Sequence, residues 1–447
     1  NLSFEFQFLS GVFDFSNDDV FCTEPRKILY AKLGCLEFRC SYLLSNMSLD
    51  AMTSKFNVDH KKLSGVVFDY SKARYPWTEL TDYEIQYIIN DVIGLIESIQ
   101  ALMELYNDTV HSLPLTSTGY VRRIVKDRMR PYHKKITEIY PDIEVYKMLL
   151  QEFRGGNTHA NRFYAEDIID TPGNSYDISS SYPSAQCNRL YPMTAFMPIK
   201  NISADKIDKL ISYNYAILFE IEFFDIKLRN RYFPVPYIPI AKCSALQNYV
   251  NDNGRVLRAS YCRMVLTDID WKIIVEEYTF SCTVIRGYKS HYSALPDPII
   301  KSNTEFFSNK TELKGVAGQE LYYMKSKNLL NSIYGMSCQR PTKRMILFDE
   351  CQYTEDNSKT LSELLQESKR RAFMVYQWSC WTTAHARAAL EEGIKLAGDN
   401  LLYVDTDSVK VIGELDFSAY NNKQKQLSEK SGLFAISRSE ERFSRNA

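Results

Sequence analysis

Three aspartates set the chemistry open to this chain. Two of them stand in the stretch Leu401-Leu402-Tyr403-Val404-Asp405-Thr406-Asp407-Ser408-Val409-Lys410-Val411. Apolar runs on both sides of a three-residue polar turn predict a β-hairpin that holds two carboxylates at its tip. Like charges buried this close are costly without a positive partner, and a divalent cation with oxygen ligands is the usual one. The third acid lies in Tyr176-Asp177-Ile178-Ser179-Ser180-Ser181-Tyr182-Pro183-Ser184, which reads as a strand ending in a carboxylate and passing through a hydroxyl-rich turn into a helix. Pro183 suits the first turn of that helix, and serines there leave backbone amides free for phosphate oxygens. About half the chain separates Asp177 from Asp407. They meet only if a long excursion brings the chain back to the same sheet; otherwise the hairpin has a plain solvated tip.

A second set of polar residues follows a helical period. The pattern from Asn303 to Tyr334 carries Lys310, Lys314, Lys325 and Lys327, then Asn331-Ser332-Ile333-Tyr334-Gly335. Steps of four and three put Lys327, Asn331 and Tyr334 on one face, and Gly335 reads as the helix stop. Phosphoryl transfer from a nucleoside triphosphate joins these pieces, because it needs two divalent ions roughly 4 Å apart. Asp177 and Asp407 would bridge two Mg²⁺ ions, with Mn²⁺ as a substitute, and the Ile178 carbonyl would add a hard oxygen. Asp405 would support them from outside. Ser180 and Ser181 would meet phosphate through their backbone, and Lys314 and Lys327 would offset the triphosphate charge. Tyr182 would lie under the incoming sugar and leave no room for a 2′-hydroxyl.

These residues need elements to position them. The chain has 447 residues, 45% of them hydrophobic and 24% charged, enough for two or three cores. No apolar run approaches the ~18 residues of a membrane span. With 54 basic and 55 acidic residues, net charge neither demands nor forbids nucleic acid, so any DNA-binding surface must come from segregated basic groups. Ten cysteines without a Cys-x-x-Cys pair, and six histidines, suggest neither zinc module nor disulfide framework; reduced thiols in a cytoplasm fit. The start at Asn1, inside an apolar-alternating run, reads as cut.

Residues Asn1 to Leu9 are expected to form a strand, and Lys27 to Leu44 a strand pair split at Gly34. From Asp82 to Tyr106, Ile85, Ile88, Ile89, Val92, Ile96, Ile99 and Leu102 predict an amphipathic helix on which Tyr87 and Asp91 share a face. Basic residues from Arg122 to Lys135, interleaved with Tyr120, Tyr132 and His133, form either a solvated face or a patch that tracks phosphates. Phe153-Arg154-Gly155-Gly156-Asn157 is a tight turn open to close backbone approach. Strands are expected around Ile217 to Phe224, and a strand end followed by a helix over Val265 to Tyr278. Residues 340–376 read as a protruding polar element. Trp381 to Leu396 is expected to be a helix with Thr383 and Arg387 four apart, and Asp416 to Ser431 to be weakly structured.

The three stretches around Asp177, Lys327 and Asp407 resemble polymerase motifs A, B and C of family B DNA polymerases. Phe153-Arg154-Gly155-Gly156 is similar to the Tyr-x-Gly-Gly linker, and Thr383-Ala384-His385-Ala386-Arg387 to the Thr-x-x-Ala-Arg motif, of the protein-primed branch found in bacteriophages and linear mobile elements. The resemblance implies an α+β fold: a right-hand palm with an antiparallel sheet and helical fingers, preceded by a partial ribonuclease-H-like exonuclease lobe. It divides the chain into an exonuclease-like lobe (1–115), connector and first part of palm (116–188), a first insertion (189–302), fingers (303–338), a second insertion (339–376) and second part of palm (377–447). By the same resemblance Asn331 and Tyr334 contact the nascent base pair, while Arg154, Gly155, Gly156, Thr383 and Arg387 hold DNA near the primer end. Implied partners are template and primer DNA, dNTPs and a terminal protein, with no membrane, in the cytoplasm of a bacterial host.

Tyr87-x-x-x-Asp91 matches the third exonuclease motif of that family, and Asn1-Leu2-Ser3-Phe4-Glu5 its second. Here the chain departs from the family pattern. Glu5 stands where an aspartate is expected, the first motif's Asp-x-Glu pair is absent, and Ser181 and Phe153 replace the usual leucine and tyrosine. The expectation is a polymerase fragment that lacks the first exonuclease motif and the thumb and does not proofread. A non-catalytic DNA-binding remnant is the alternative. A nuclease is disfavoured by its incomplete ligand set, and a reverse transcriptase by Thr406 between the two hairpin aspartates.

Overall fold

The computed structural model describes residues 1–447 other than 67, 350–351, 431–442 and 446–447. The chain divides into two compact units: 1–124 with 309–329 and 343–360, and 125–308 with 330–342 and 361–447. It is a mixed fold of helices and antiparallel sheets.

In the first unit a five-stranded sheet runs in the order Gln352–Glu355, Ile346–Asp349, Val20–Glu24, Lys27–Leu33, Leu36–Arg39. The strand pair split at Gly34 forms as expected. The segment at 346–355, read as a protrusion, instead completes the sheet edge through Cys22 paired with Ile346. Residues Leu2–Leu9 are a helix rather than a strand. Phe4, Phe6 and Phe8 alternate as strand residues do, but Leu2 and Phe6 fall one helical turn apart and both are buried, with the Phe6 ring 5.2 Å from Phe348.

The expected helix spans Asp82–Tyr106 and starts from a capping box, in which the Thr81 side chain accepts from the Glu84 amide and Glu84 reaches back. Its orientation is the reverse of the expected one. Ile85, Ile88, Ile89, Val92 and Ile96 are exposed, whereas Glu84, Tyr87, Asn90, Gly94 and Ser98 are buried. The preceding loop causes this by hydrogen bonding along the polar face. Arg74 donates to Glu84, Asn90 donates to the Lys61 carbonyl, and the His60 amide donates to Glu97. Glu84, Tyr87 and Asn90 are thereby buried with hydrogen-bond partners in place of apolar groups, while the Ser98 hydroxyl has none among the described residues.

The second unit holds two sheets. A seven-stranded one is built on Arg255–Thr267, Tyr215–Leu228 and Tyr278–Ser293, and the helix Asp268–Glu277 follows its strand directly as expected. The other runs Phe443–Arg445, Gly173–Ile178, Ser408–Ile412, Leu401–Thr406, Asn157–Ala160, with every pairing antiparallel. The helix Gln377–Ala397 lays Leu390, Ile394 and Ala397 against Val404, Val409 and Val411 of this sheet, a buried cluster that fixes the hairpin from behind.

Three boundaries differ from expectation. The single lysine-rich pattern is two helices, Asp297–Leu313 and Glu320–Ser337, separated by Gly315 and Gly318 at φ of 75° and 77°. Gly335 does not stop the second, which continues to Ser337. Ser418–Lys430, thought weakly structured, is a helix; Ser431 lies outside the described residues. The basic run occupies the helices Ser117–Met129 and His133–Glu138. It is partly neutralised locally, Arg123 by Asp108, Arg128 by Glu305 and Arg130 by Asp127.

Candidate active site

The strand Gly173–Ile178 lies beside Ser408–Ile412, and their register pairs Asp177 with Ser408. The Ile178 amide donates to the Asp407 carbonyl at 2.8 Å. The long excursion therefore does return, and it brings Asp177, on its strand, next to Asp407 in the hairpin turn. The hairpin turn is tighter than the three residues expected, because Asp405 pairs with Ser408 across it. The Asp407 amide donates back to the Asp405 carbonyl at 2.6 Å, and Thr406 is forced to a φ of 57°. Ser180, after the other strand, sits at a φ of 49° where it starts the helix Ser181–Asn188. Left-handed backbone at residues other than glycine costs about 1–3 kcal/mol, and it persists where surrounding structure over-determines it. Both strained residues flank the paired aspartates.

Electrostatics single out Asp407. Burial, then the neighbouring Asp177 and Asp405 charges, push its carboxyl up to about 7. Burial and like-charged neighbours both disfavour the ionised form of a carboxyl, which is the direction seen here. Asp405 is more exposed and is held aside, accepting from the Thr158 and Thr406 hydroxyls at 3.1 Å each. The described residues contain no cluster of three or more His, Cys, Asp or Glu able to hold a metal. The fit is that of an open two-carboxylate site, and Mg²⁺, which keeps water and takes substrate oxygens, suits such a donor set better than a closed cage.

The Tyr182 ring, on Ser181–Asn188, stacks on Tyr334 with centroids 4.2 Å apart and planes at 28°. Asn331 is exposed on the helix that carries Tyr334. Lys314 and Lys327 are exposed and belong to the first unit.

The residues expected near the primer end are placed differently. Thr383 and Arg387 are fully buried, and the Thr383 hydroxyl is spent on the Ser379 and Cys380 carbonyls of its own helix. Arg387 donates to the Arg154 and Gly155 carbonyls at 3.0 and 3.3 Å and to Asp270 and Glu152. Arg154 also donates to Asp270, at 2.9 Å, and lies over the Tyr237 ring. Gly156 is pressed against the hairpin tip, where a Cβ would fall 2.6 Å from Thr406 Cγ2. Asp270, Glu152 and Tyr237 were not foreseen as site-linked residues; Thr267 and Asp270 look in the sequence like an ordinary helix cap.

In the first unit Lys62, also unforeseen, donates to both Asp91 oxygens at 2.8 and 2.9 Å and to the Tyr87 hydroxyl at 3.1 Å. Burial lowers the Lys62 pKa, but the bonds to Asp91 and Tyr87 outweigh it and leave it raised. Glu5 is exposed on the helix Leu2–Leu9.

With this geometry in hand, the relatives can be compared. The family model of DNA polymerase type B, organellar and viral, matches residues 67–392, so the chain belongs to that family. Phi29 DNA polymerase complexed with primer-template DNA superposes with a TM-score of 0.71 at 19% identity, covering 94% of this chain and 72% of that one. The same polymerase with single-stranded DNA gives a TM-score of 0.69 at 19% identity over 94% and 72% of the two chains. With primer-template DNA and incoming nucleotide substrates it gives 0.68 at 18% over 94% and 73%. No curated protein matches the chain. Among the described residues no helix is long and apolar enough to cross a membrane.

Proposed function

We propose that this chain performs template-directed DNA synthesis from dNTPs by two-metal phosphoryl transfer, as a protein-primed replicative polymerase of a phage or mobile element in a bacterial cytoplasm. The observation that carries the reading is the pairing of Asp177 with Ser408, next to Asp407 in the hairpin turn, together with an Asp407 carboxyl raised to about 7 by burial and its acidic neighbours. Asp177, Asp407 and the Ile178 carbonyl would hold the ions. Two Mg²⁺ ions there would activate the primer 3′-hydroxyl and neutralise the departing pyrophosphate.

Around them, the Ser180 and Ser181 backbone orients the triphosphate and Lys314 and Lys327 offset its charge. Tyr182 bars a 2′-hydroxyl, and Asn331 and Tyr334 rest on the new base pair. Arg154, Gly155 and Gly156 face the primer end; Arg387, being buried, acts on it through that turn, and Thr383 through the helix that carries Arg387. The domain boundaries expected from the family, the terminal protein as partner and the silent exonuclease belong to the same reading. Lys62 supports the last of these, because it already neutralises Asp91, an acid a proofreading metal would need.

Primer extension on a DNA template with dNTPs and Mg²⁺ tests the proposal. Extension by the native chain and none by Asp407→Ala is the expected result. Template binding without extension by either protein would favour a DNA-binding remnant. Mg²⁺-dependent 3′-5′ degradation that disappears in Asp91→Ala would overturn the claim of a silent exonuclease.

A further inference from the structure

Behind the catalytic hairpin the second unit holds a buried arginine, Arg387, and a partly buried one, Arg154, and one carboxylate answers both. Asp270 accepts from Arg154 Nη2 at 2.9 Å, from Arg387 Nη2 at 2.9 and 3.1 Å, from Arg387 Nε at 3.2 Å and from the Thr267 hydroxyl at 2.5 Å. The Tyr237 hydroxyl donates to it as well. The second acid of the cluster, Glu152, accepts from Arg387 at 3.2 Å. Burial raises the Asp270 pKa, but Arg387 and Arg154 outweigh it and hold the carboxyl well below the usual range. Glu152 goes the other way, raised to about 7 by burial and then by Asp270. Asp270 therefore carries the charge that balances the arginines.

The two arginines reach the site through backbone. Arg387 grips the carbonyls of Arg154 and Gly155, the next residue Gly156 touches Thr406, and Thr406 pairs with Asn157 at the hairpin tip. We infer that Asp270 is a positioning residue for nucleotidyl transfer: by clamping Arg154 and Arg387 it fixes the turn 153–156 under the hairpin tip, and so the separation of the Asp177 and Asp407 carboxylates. This inference rests on the proposed polymerase reading and adds to it a residue some distance from the reacting atoms. An aspartate that only stabilised the fold would alter melting temperature and yield of active protein, but not the affinity of the acids for a divalent ion.

The test uses Mn²⁺ binding by the full chain, followed by electron paramagnetic resonance, beside the Mg²⁺ concentration that half-saturates primer extension. Asp407→Asn defines loss of the site. Asp270→Asn is expected to weaken Mn²⁺ binding about tenfold, the lower end of what outer groups contribute to metal sites, and to raise the Mg²⁺ requirement in step. Gly156→Ala, which disturbs the far end of the linkage without touching the buried charges, should do the same. The double variant should fall short of the product of the two effects, as it does for residues acting through one contact chain. A folded Asp270→Asn with native Mn²⁺ affinity overturns the inference. If that variant does not fold, native Mn²⁺ affinity in Gly156→Ala overturns it. If the native chain binds Mn²⁺ but extends no primer, the polymerase reading fails while the affinities still decide the role of Asp270. Native binding no better than that of Asp407→Asn defeats both.

Discussion

Tyr182 stacks on Tyr334 with ring centroids 4.2 Å apart, so in the proposed polymerase reading Tyr182 would meet an incoming sugar with a second ring packed against it. A flat, doubly supported ring leaves little give for an added hydroxyl. Tyr182→Val is expected to raise incorporation of ribonucleotides relative to deoxynucleotides by at least about tenfold, equivalent to about 1.4 kcal/mol of lost discrimination. Competing single-nucleotide extensions measure it, and an unchanged ratio would remove Tyr182 from substrate selection. Tyr182, Asp177, Asp405 and Asp407 were legible as residues because each stands in a short stretch whose local pattern predicts its element. Asp270 was not. Three of its partners, Arg154, Tyr237 and Arg387, come from segments distant in sequence, and a charged residue after a threonine at a helix start needs no explanation beyond capping.

Among the elements, the helix Asp82–Tyr106 carries the clearest lesson. Its existence and ends followed from apolar periodicity, while its orientation did not. The loop that claims the polar face does so with bonds such as Asn90 to the Lys61 carbonyl at 2.6 Å, and no periodic pattern encodes them. The fit is close at Gly94, where a Cβ would lie 2.2 Å from the His60 carbonyl oxygen. Gly94→Ala should therefore destabilise the protein by about 1–3 kcal/mol despite alanine's better helix propensity, because the loop must shift to admit a methyl group. Denaturant unfolding gives the number, and a stabilised variant would show that the loop is not packed there. The hairpin 401–412 lies at the other extreme: two strands, a short turn and their pairing are all local, and only the exact turn length was misread.

Across the whole molecule, buried acids tie stability to pH. Glu277 and Glu391 are both buried, and their carboxyls lie close enough to share a proton. Burial, offset in part by Glu277 and Lys395, raises Glu391 to about 7, and burial and then Glu391 raise Glu277 well above the usual range. A carboxyl raised in the folded state binds its proton there more tightly than in the unfolded chain. Its contribution is therefore complete below the ordinary glutamate pKa and is lost as pH climbs through about 7. The melting temperature of the native chain should fall between about pH 5 and pH 8 relative to Glu391→Gln. Parallel curves for the two proteins would mean that the pair is not protonated in the fold.

The sheet that joins Asp177 to Asp407 closes a loop of about half the chain, and closing it has a kinetic consequence. Contacts so distant in sequence form slowly, since the entropy of the intervening segment must be lost before the pairing is gained. In refolding from denaturant the helices should recover their circular dichroism first, and Mn²⁺ affinity should return only in the last phase. Metal binding that reappears together with the helices would mean that the two strands find each other early.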